Sequence, residues 1–120
     1  MLALPLLAAV ALAGNPVALT GADNGRSLRV APATPIVLTL PSNASTGYRW
    51  HILAPLDKAV LRLVAHSYRP SASTLIGAAG TEIWRFQAVG KGKLTVRLGY
   101  FRSFAPTQVA RRFRVDFRVS

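Results

Sequence analysis

The chain has 120 residues and 51% of them are hydrophobic, so it is long enough to form one domain around its own core. It contains no cysteine, which excludes both a disulfide framework and a thiolate metal site. Lys and Arg number 15 against 4 Asp and Glu, which gives a net charge of +11. Such a charge favours acidic partners, anionic lipid headgroups or nucleic acid. The alternative is that these cations only form a solvated face of the protein.

The first 13 residues form an apolar run that ends in Ala11-Leu12-Ala13, an A-x-A cleavage pattern. The run is shorter than the ~20 residues of a membrane-spanning helix. We therefore predict a signal peptide over residues 1–13, export to the periplasm or the cell exterior, and no stable membrane anchor. An apolar N-terminal helix is the alternative, since no Lys or Arg precedes the run.

The rest of the chain divides into a short linker and one domain. Residues 14–25 are rich in Gly, Asn and Asp and predict a linker. Over residues 26–120, alternation of apolar and polar side chains predicts short strands, although a helical turn stays open for the fourth run. These runs are Ser27–Val30, Ile36–Leu40, Tyr48–Leu53, Ala59–Tyr68, Thr81–Val89, Lys93–Phe101 and residues 112–119.

Turn residues separate these runs at regular intervals. About seven to eight short strands with such spacing predict an all-β fold, an antiparallel β-sandwich. Alternate loops of a sandwich emerge at the same end. The loops that follow Ile36–Leu40, Ala59–Tyr68 and Lys93–Phe101 should therefore converge on one surface.

Residues for catalysis are scarce. The acids and histidines are Asp23, Asp57, Glu82, Asp116, His51 and His66. Catalysis and metal binding need several converging groups, so we interpret both histidines as exposed strand residues. The sequence predicts no enzyme activity, no catalytic residue, no metal site and no cofactor.

The loop after Ile36–Leu40 is polar and uncharged. Asn43, Ser45 and Thr46 can hydrogen-bond their own backbone, and Gly47 can adopt a positive φ. The loop can therefore be shaped without a core of its own, and it is thin enough to enter a cleft.

Three stretches, in the same order, resemble the chagasin family of reversible inhibitors of papain-like cysteine proteases. Residues 42–48, Ser-Asn-Ala-Ser-Thr-Gly-Tyr, resemble the family's Asn-Pro-Thr-Thr-Gly-Tyr/Phe loop. Residues 77–82, Gly-Ala-Ala-Gly-Thr-Glu, resemble its Gly-x-Gly-Gly loop. Residues 100–104, Tyr-Phe-Arg-Ser-Phe, resemble its Tyr-x-Arg-Pro-Trp loop. The chain departs from the family at Ala44, Ala79, Ser103 and Phe104, where Pro, Gly, Pro and Trp are usual.

The resemblance implies an immunoglobulin-like sandwich whose three loops bind a papain-like protease, as a monomer and without nucleic acid. It implies that Thr46 and Gly47 lie nearest the catalytic thiolate, that Arg102 and Phe104 are anchors, and that glycines let the second loop approach the enzyme. The implied protease-binding residues are Asn43, Ala44, Ser45, Thr46, Gly47, Tyr48, Gly77, Ala78, Ala79, Gly80, Arg102, Ser103 and Phe104.

Two other functions stay open. One is a polyanion-binding module, because cationic residues recur on the outer positions of the last two strands. The other is a structural or surface-adhesion domain, in which the three loops are ordinary turns. Trp50 and Trp84 are assigned to the core in every case. The outer cationic residues are Lys93, Arg97, Arg112, Arg114 and Arg118.

Overall fold

The computed structural model describes residues 14–73 and 78–120. The predicted signal peptide over 1–13 and the predicted contact residue Gly77 lie outside the described residues. Strands dominate the described part, in agreement with the all-β prediction, and no helix there is long and apolar enough to cross a membrane. The strands are β1 (Val17–Thr20), β2 (Ser27–Val30), β3 (Pro35–Ser42), β4 (Tyr48–Ile52), β5 (Leu61–Arg69), β6 (Gly80–Ala88), β7 (Gly92–Arg102) and β8 (Arg111–Val119).

The strands form two four-stranded sheets that pack face to face. One sheet has the order β1-β3-β6-β5 and the other the order β2-β8-β7-β4. Most neighbours are antiparallel, as the sequence predicts, but β1 pairs with β3 and β2 pairs with β8 in parallel. Alternation identifies a strand and its inward face, but it carries no information on the direction of its neighbour.

The predicted linker over residues 14–25 is wrong as a description of this segment. Val17–Thr20 is an edge strand, and Leu19 is buried in the core. The turn residues that suggested a linker form one turn of 3-10 helix, in which Ala22 N–H donates to Thr20 Oγ1 at 3.3 Å. Thr20 N–H donates in turn to Asp23 Oδ2 at 2.8 Å, which completes a capping box. Val17, Ala18 and Leu19 are consecutive apolar residues, so the segment shows no alternation of apolar and polar side chains that would reveal a strand.

The core lies between the sheets and is built from the inward positions of the strands. Trp50 and Trp84 are buried, with 5% and 3% of their surface exposed, which confirms their assignment to the core. The alternation is clearest in β8, where the arginines are exposed and the apolar side chains are buried. Those buried residues are Phe113, Val115, Phe117 and Val119.

The segment for which a helical turn stayed open is the strand β5. Its pairing with β6 shifts register between Leu63 and Ala65, which marks a β-bulge. Val64 lies at the bulge with 55% of its surface exposed. The extra residue explains why the run Leu63-Val64-Ala65 shows no clean alternation.

Candidate functional site

Strand register brings the three predicted loops to one end of the sandwich. In the first sheet, Ser42 at the end of β3 is paired with Gly80 at the start of β6. In the second sheet, Tyr48 at the start of β4 is paired with Arg102 at the end of β7. The β3–β4, β5–β6 and β7–β8 connections therefore leave the same end. We call this surface the loop end.

Hydrogen bonds within the β3–β4 loop stabilise its conformation. Residues 44–46 form one turn of 3-10 helix, and Gly47 follows in the left-handed region at φ 83°. The Thr46 hydroxyl donates to the Asn43 carbonyl at 2.7 Å, and the Ser45 hydroxyl donates to Asn43 Oδ1 at 2.6 Å. These bonds are the local side-chain interactions that the sequence predicts. The apex, Ser45 to Gly47, is exposed and carries no charge.

Three further hydrogen bonds tie this loop to the body of the sandwich. Asn43 N–H donates to Tyr100 Oη at 2.9 Å, and Arg102 Nε donates to the Thr46 carbonyl at 3.2 Å. At the base of the loop, Trp50 Nε1 donates to the Pro41 carbonyl at 3.0 Å. The start of the loop and its apex are thus held by side chains of β7, and the two strands that flank the loop are joined to each other.

Arg102 connects the third loop to the first. Its guanidinium carbon lies 4.7 Å from the centre of the Tyr48 ring and 5.8 Å from the centre of the Phe104 ring. Such contacts between a cation and an aromatic face are favourable by about 0.5–1 kcal/mol at exposed sites. Phe104 itself is 80% exposed, and its neighbour Ser103 is also exposed. A large apolar side chain is therefore presented to solvent beside the first loop.

The second loop is described only in part. Ala78 is half-buried and Ala79 is exposed, next to the first loop. Gly80 differs from expectation, because it is buried and belongs to β6. A Cβ there would lie 2.4 Å from both the Tyr68 hydroxyl and the Arg69 carbonyl oxygen. The glycine is thus required by packing within the chain, and Gly80 supports the loop end without forming its exposed surface.

A buried carboxylate beneath the loop end was missed by the sequence analysis. Glu82 of β6 has no exposed surface, and its side chain reaches from the first sheet to a strand of the second. Its Oε2 accepts the backbone N–H of Trp50 at 3.0 Å, and its Oε1 lies 2.7 Å from His66 Nε2. Since β4 is an edge strand with β7 as its neighbour, Glu82 supplies an acceptor on the open side of β4.

The alternation of apolar and polar residues along β6 could have predicted that Glu82 is buried. Glu82 is in phase with the buried Trp84 and Phe86, so period two places it inside the sandwich. An acid at an inward position requires hydrogen-bond partners from other strands. Only the three-dimensional structure identifies those partners.

The two histidines have specific neighbours. His66 is exposed, as predicted, but it also stacks on Trp84 at 3.6 Å between ring centres and contacts Glu82. His51 is half-buried and stacks on Phe101 at 4.0 Å, so its assignment as an exposed residue is wrong. Within residues 14–73 and 78–120, no three His, Cys, Asp or Glu side chains group so as to hold a metal ion.

The structure resembles those of known cysteine protease inhibitors. The cysteine protease inhibitor EhICP2 from Entamoeba histolytica superposes with a TM-score of 0.77 at 21% identity, over 88% of this chain and 96% of that one. PbICP-C, solved in complex with falcipain-2, superposes with a TM-score of 0.66 at 16% identity, over 89% of this chain and 100% of that one. These TM-scores establish a shared fold, and at such low sequence identities they establish the fold alone.

The sequence comparisons establish the family. Chagasin from Trypanosoma cruzi is 33% identical to this chain over 105 residues, which cover 84% of this chain and 96% of the relative. The family model described as Chagasin family peptidase inhibitor I42 matches residues 29–119, from β2 to the end of β8. The chain therefore belongs to the chagasin family of peptidase inhibitors.

Proposed function

We propose that the chain inhibits papain-like cysteine proteases reversibly by placing its loop end in the active-site cleft. Membership of a family of peptidase inhibitors supports inhibition and fits a function without catalysis. The observation that carries the three-loop mechanism is the uncharged apex, Ser45 to Gly47, which Arg102 holds at the end of the sandwich from which the other two loops also leave. The complex of the structural neighbour PbICP-C with falcipain-2 supports a protease as the partner.

The conformation of the first loop suits occlusion without cleavage. Residues 44–46 are in a 3-10 turn and Gly47 is left-handed, so the apex is not an extended segment. Such a turn crosses the cleft without presenting a carbonyl in line for attack by the thiolate. Its internal hydrogen bonds also fix the loop before binding, which reduces the entropy lost in the complex.

The other two loops add contacts on either side of the apex. Arginine and aromatic side chains dominate the binding energy of protein interfaces, so Arg102 and the exposed Phe104 are the expected anchors. Ser103 lies between them and is exposed. On the opposite flank, Ala78 and Ala79 offer small side chains that allow a close approach of the enzyme. Gly80 contributes by supporting this loop from within β6.

The proposal also includes the place and form in which the inhibitor acts. Ala11-Leu12-Ala13 supports cleavage before Gly14 and export to the periplasm or the cell exterior. A single copy carries all three loops, so a monomer is sufficient for inhibition and no cofactor is needed.

Titration of papain with residues 14–120 tests the function. Papain activity should fall linearly to zero at one inhibitor per active enzyme and return on dilution, since no covalent bond forms. Trypsin, whose cleft has a different shape, serves as the control and should keep its full activity. Equal inhibition of trypsin, or full papain activity at a large excess of the chain, would refute the proposal.

A further inference from the structure

The outer face of the second sheet carries a groove lined by cations. The groove has a volume of about 610 Å³ and runs over β2, β8 and β7. Five cationic side chains and one carboxylate line it, and all five cations are exposed. The cations are Arg29, Lys93, Arg97, Arg114 and Arg118.

The register places like charges directly opposite one another in this groove. Arg118 of β8 is paired with Arg29 of β2 on one side and with Lys93 of β7 on the other. Four residues back along β8, Arg114 is paired with Arg97, and the row that contains Asp116 and Thr95 lies between the two cationic rows. Directly opposed side chains on neighbouring strands have Cβ atoms about 4.5–5.5 Å apart, so like charges there destabilise the sheet. An anionic ligand that lies along both rows would relieve this repulsion.

The single carboxylate of the groove neutralises only part of this charge. Asp116 accepts hydrogen bonds from Arg114 at 2.9 Å, Thr95 at 2.6 Å and Ser27 at 3.4 Å. The Arg114 hydrogen bond, followed by that of Thr95, holds the pKa of Asp116 below its usual value. Asp116 therefore stays ionised near neutral pH and pairs with Arg114. Among the described residues, Arg29, Arg97 and Arg118 make no ion pair within 4.0 Å.

The chemistry of the lining identifies the kind of ligand. Four of the five cations are arginines. One planar guanidinium group can donate two parallel hydrogen bonds to two oxygens of a sulfate or phosphate group. A groove of this size accepts a single chain and not a flat bilayer. The only aromatic residue of the lining, Phe117, is buried, so the groove offers no ring on which a nucleic-acid base could stack.

We propose that this groove binds an anionic polysaccharide chain whose charges are sulfate or phosphate esters. The site lies on a sheet face, whereas the loop end lies at the strand termini, so the two surfaces are separate. The polysaccharide would hold the inhibitor at a sugar-coated surface while its loops remain free. This second function does not depend on the protease-binding function.

Binding of heparin, a sulfated polysaccharide, to residues 14–120 tests the proposal by calorimetry at several salt concentrations. The test variant is Arg97→Ala with Arg118→Ala, which removes one cation from each row. The control is Arg62→Ala with Arg85→Ala, which removes the same charge from exposed positions on the first sheet. Circular dichroism and thermal unfolding verify that both variants are folded.

We expect heparin affinity to fall at least about 10-fold in the test variant and less than about 3-fold in the control. The slope of log affinity against log salt should decrease by about one for each removed groove cation. Equal losses in the two variants would show that net charge alone binds heparin, which overturns the proposal. Tighter binding of single-stranded DNA or of anionic vesicles, lost in the test variant alone, would show that the groove serves a different ligand.

Discussion

Thr46→Arg is expected to raise the inhibition constant for papain by at least about 100-fold, which corresponds to about 2.7 kcal/mol of binding free energy. Thr46 lies at the exposed apex, and its hydroxyl closes the loop on the Asn43 carbonyl at 2.7 Å. Arginine has no hydroxyl group on Cβ that could replace this local bond. Its guanidinium would also have to lose water inside the cleft without a counterion, which is strongly unfavourable. The measurement is the inhibition constant of the folded variant.

Two further variants separate this effect from its alternatives. Ser120→Arg adds the same charge at an exposed position that follows β8, at the end of the sandwich opposite the loop end. This variant should inhibit as well as the parent chain. Phe104→Ala removes a peripheral anchor and should weaken binding by about 1–2 kcal/mol, a middle value for interface truncations. If Thr46→Arg inhibits as well as the parent chain, the first loop is not the part that enters the cleft.

Glu82→Ala is expected to lower the free energy of unfolding by about 3 kcal/mol, because it leaves a buried donor unpaired and removes two hydrogen bonds. The donor of the hydrogen bond to Glu82 is the backbone N–H of Trp50, so this donor is still present after the substitution. No acceptor on a neighbouring strand replaces the lost carboxylate, because β4 is an edge strand. Urea unfolding measures the effect, with an unchanged slope expected if the unfolded state is not altered.

Asp116→Ala is the matched control for this prediction. Asp116 is also a strand carboxylate with several hydrogen bonds, but its side chain is partly exposed and water can replace the lost bonds. Its removal should lower the free energy of unfolding by less than about 1 kcal/mol, as for other surface ion pairs. Equal effects of the two substitutions would show that Glu82 does not join the sheets in an energetically important way.

Alternation along the chain predicts most of the strands but not their arrangement. The predicted run Lys93–Phe101 lies within β7, and residues 112–119 lie within β8, because apolar and polar residues alternate cleanly there. The edge strand Val17–Thr20 escapes the pattern because its first three residues are all apolar. The bulge at Val64 escapes it because a bulge inserts a residue. Parallel pairing at the two sheet edges depends on contacts between segments that are distant in sequence.

In the candidate site, too, local features could be predicted from the sequence, but contacts between distant segments could not. The local hydrogen bonds of Asn43 and Thr46 and the positive φ of Gly47 follow from residue types alone. The bonds that hold this loop in place could not be predicted, because Arg102 lies 56 positions from Thr46. Gly80 shows the limit of motif reasoning, since its lack of a side chain serves packing inside the chain and not contact with a partner.

Competition for the papain active site shows whether the loop end occupies the cleft. A bulky peptidyl reagent that alkylates the active-site cysteine from within the cleft is added to papain with and without one equivalent of residues 14–120. We expect the labelling rate to fall in proportion to the complex formed, and papain labelled beforehand to bind the chain at least about 100-fold more weakly. Labelling of fully inhibited papain at the rate of the free enzyme would contradict the claim that the loop end occupies the cleft.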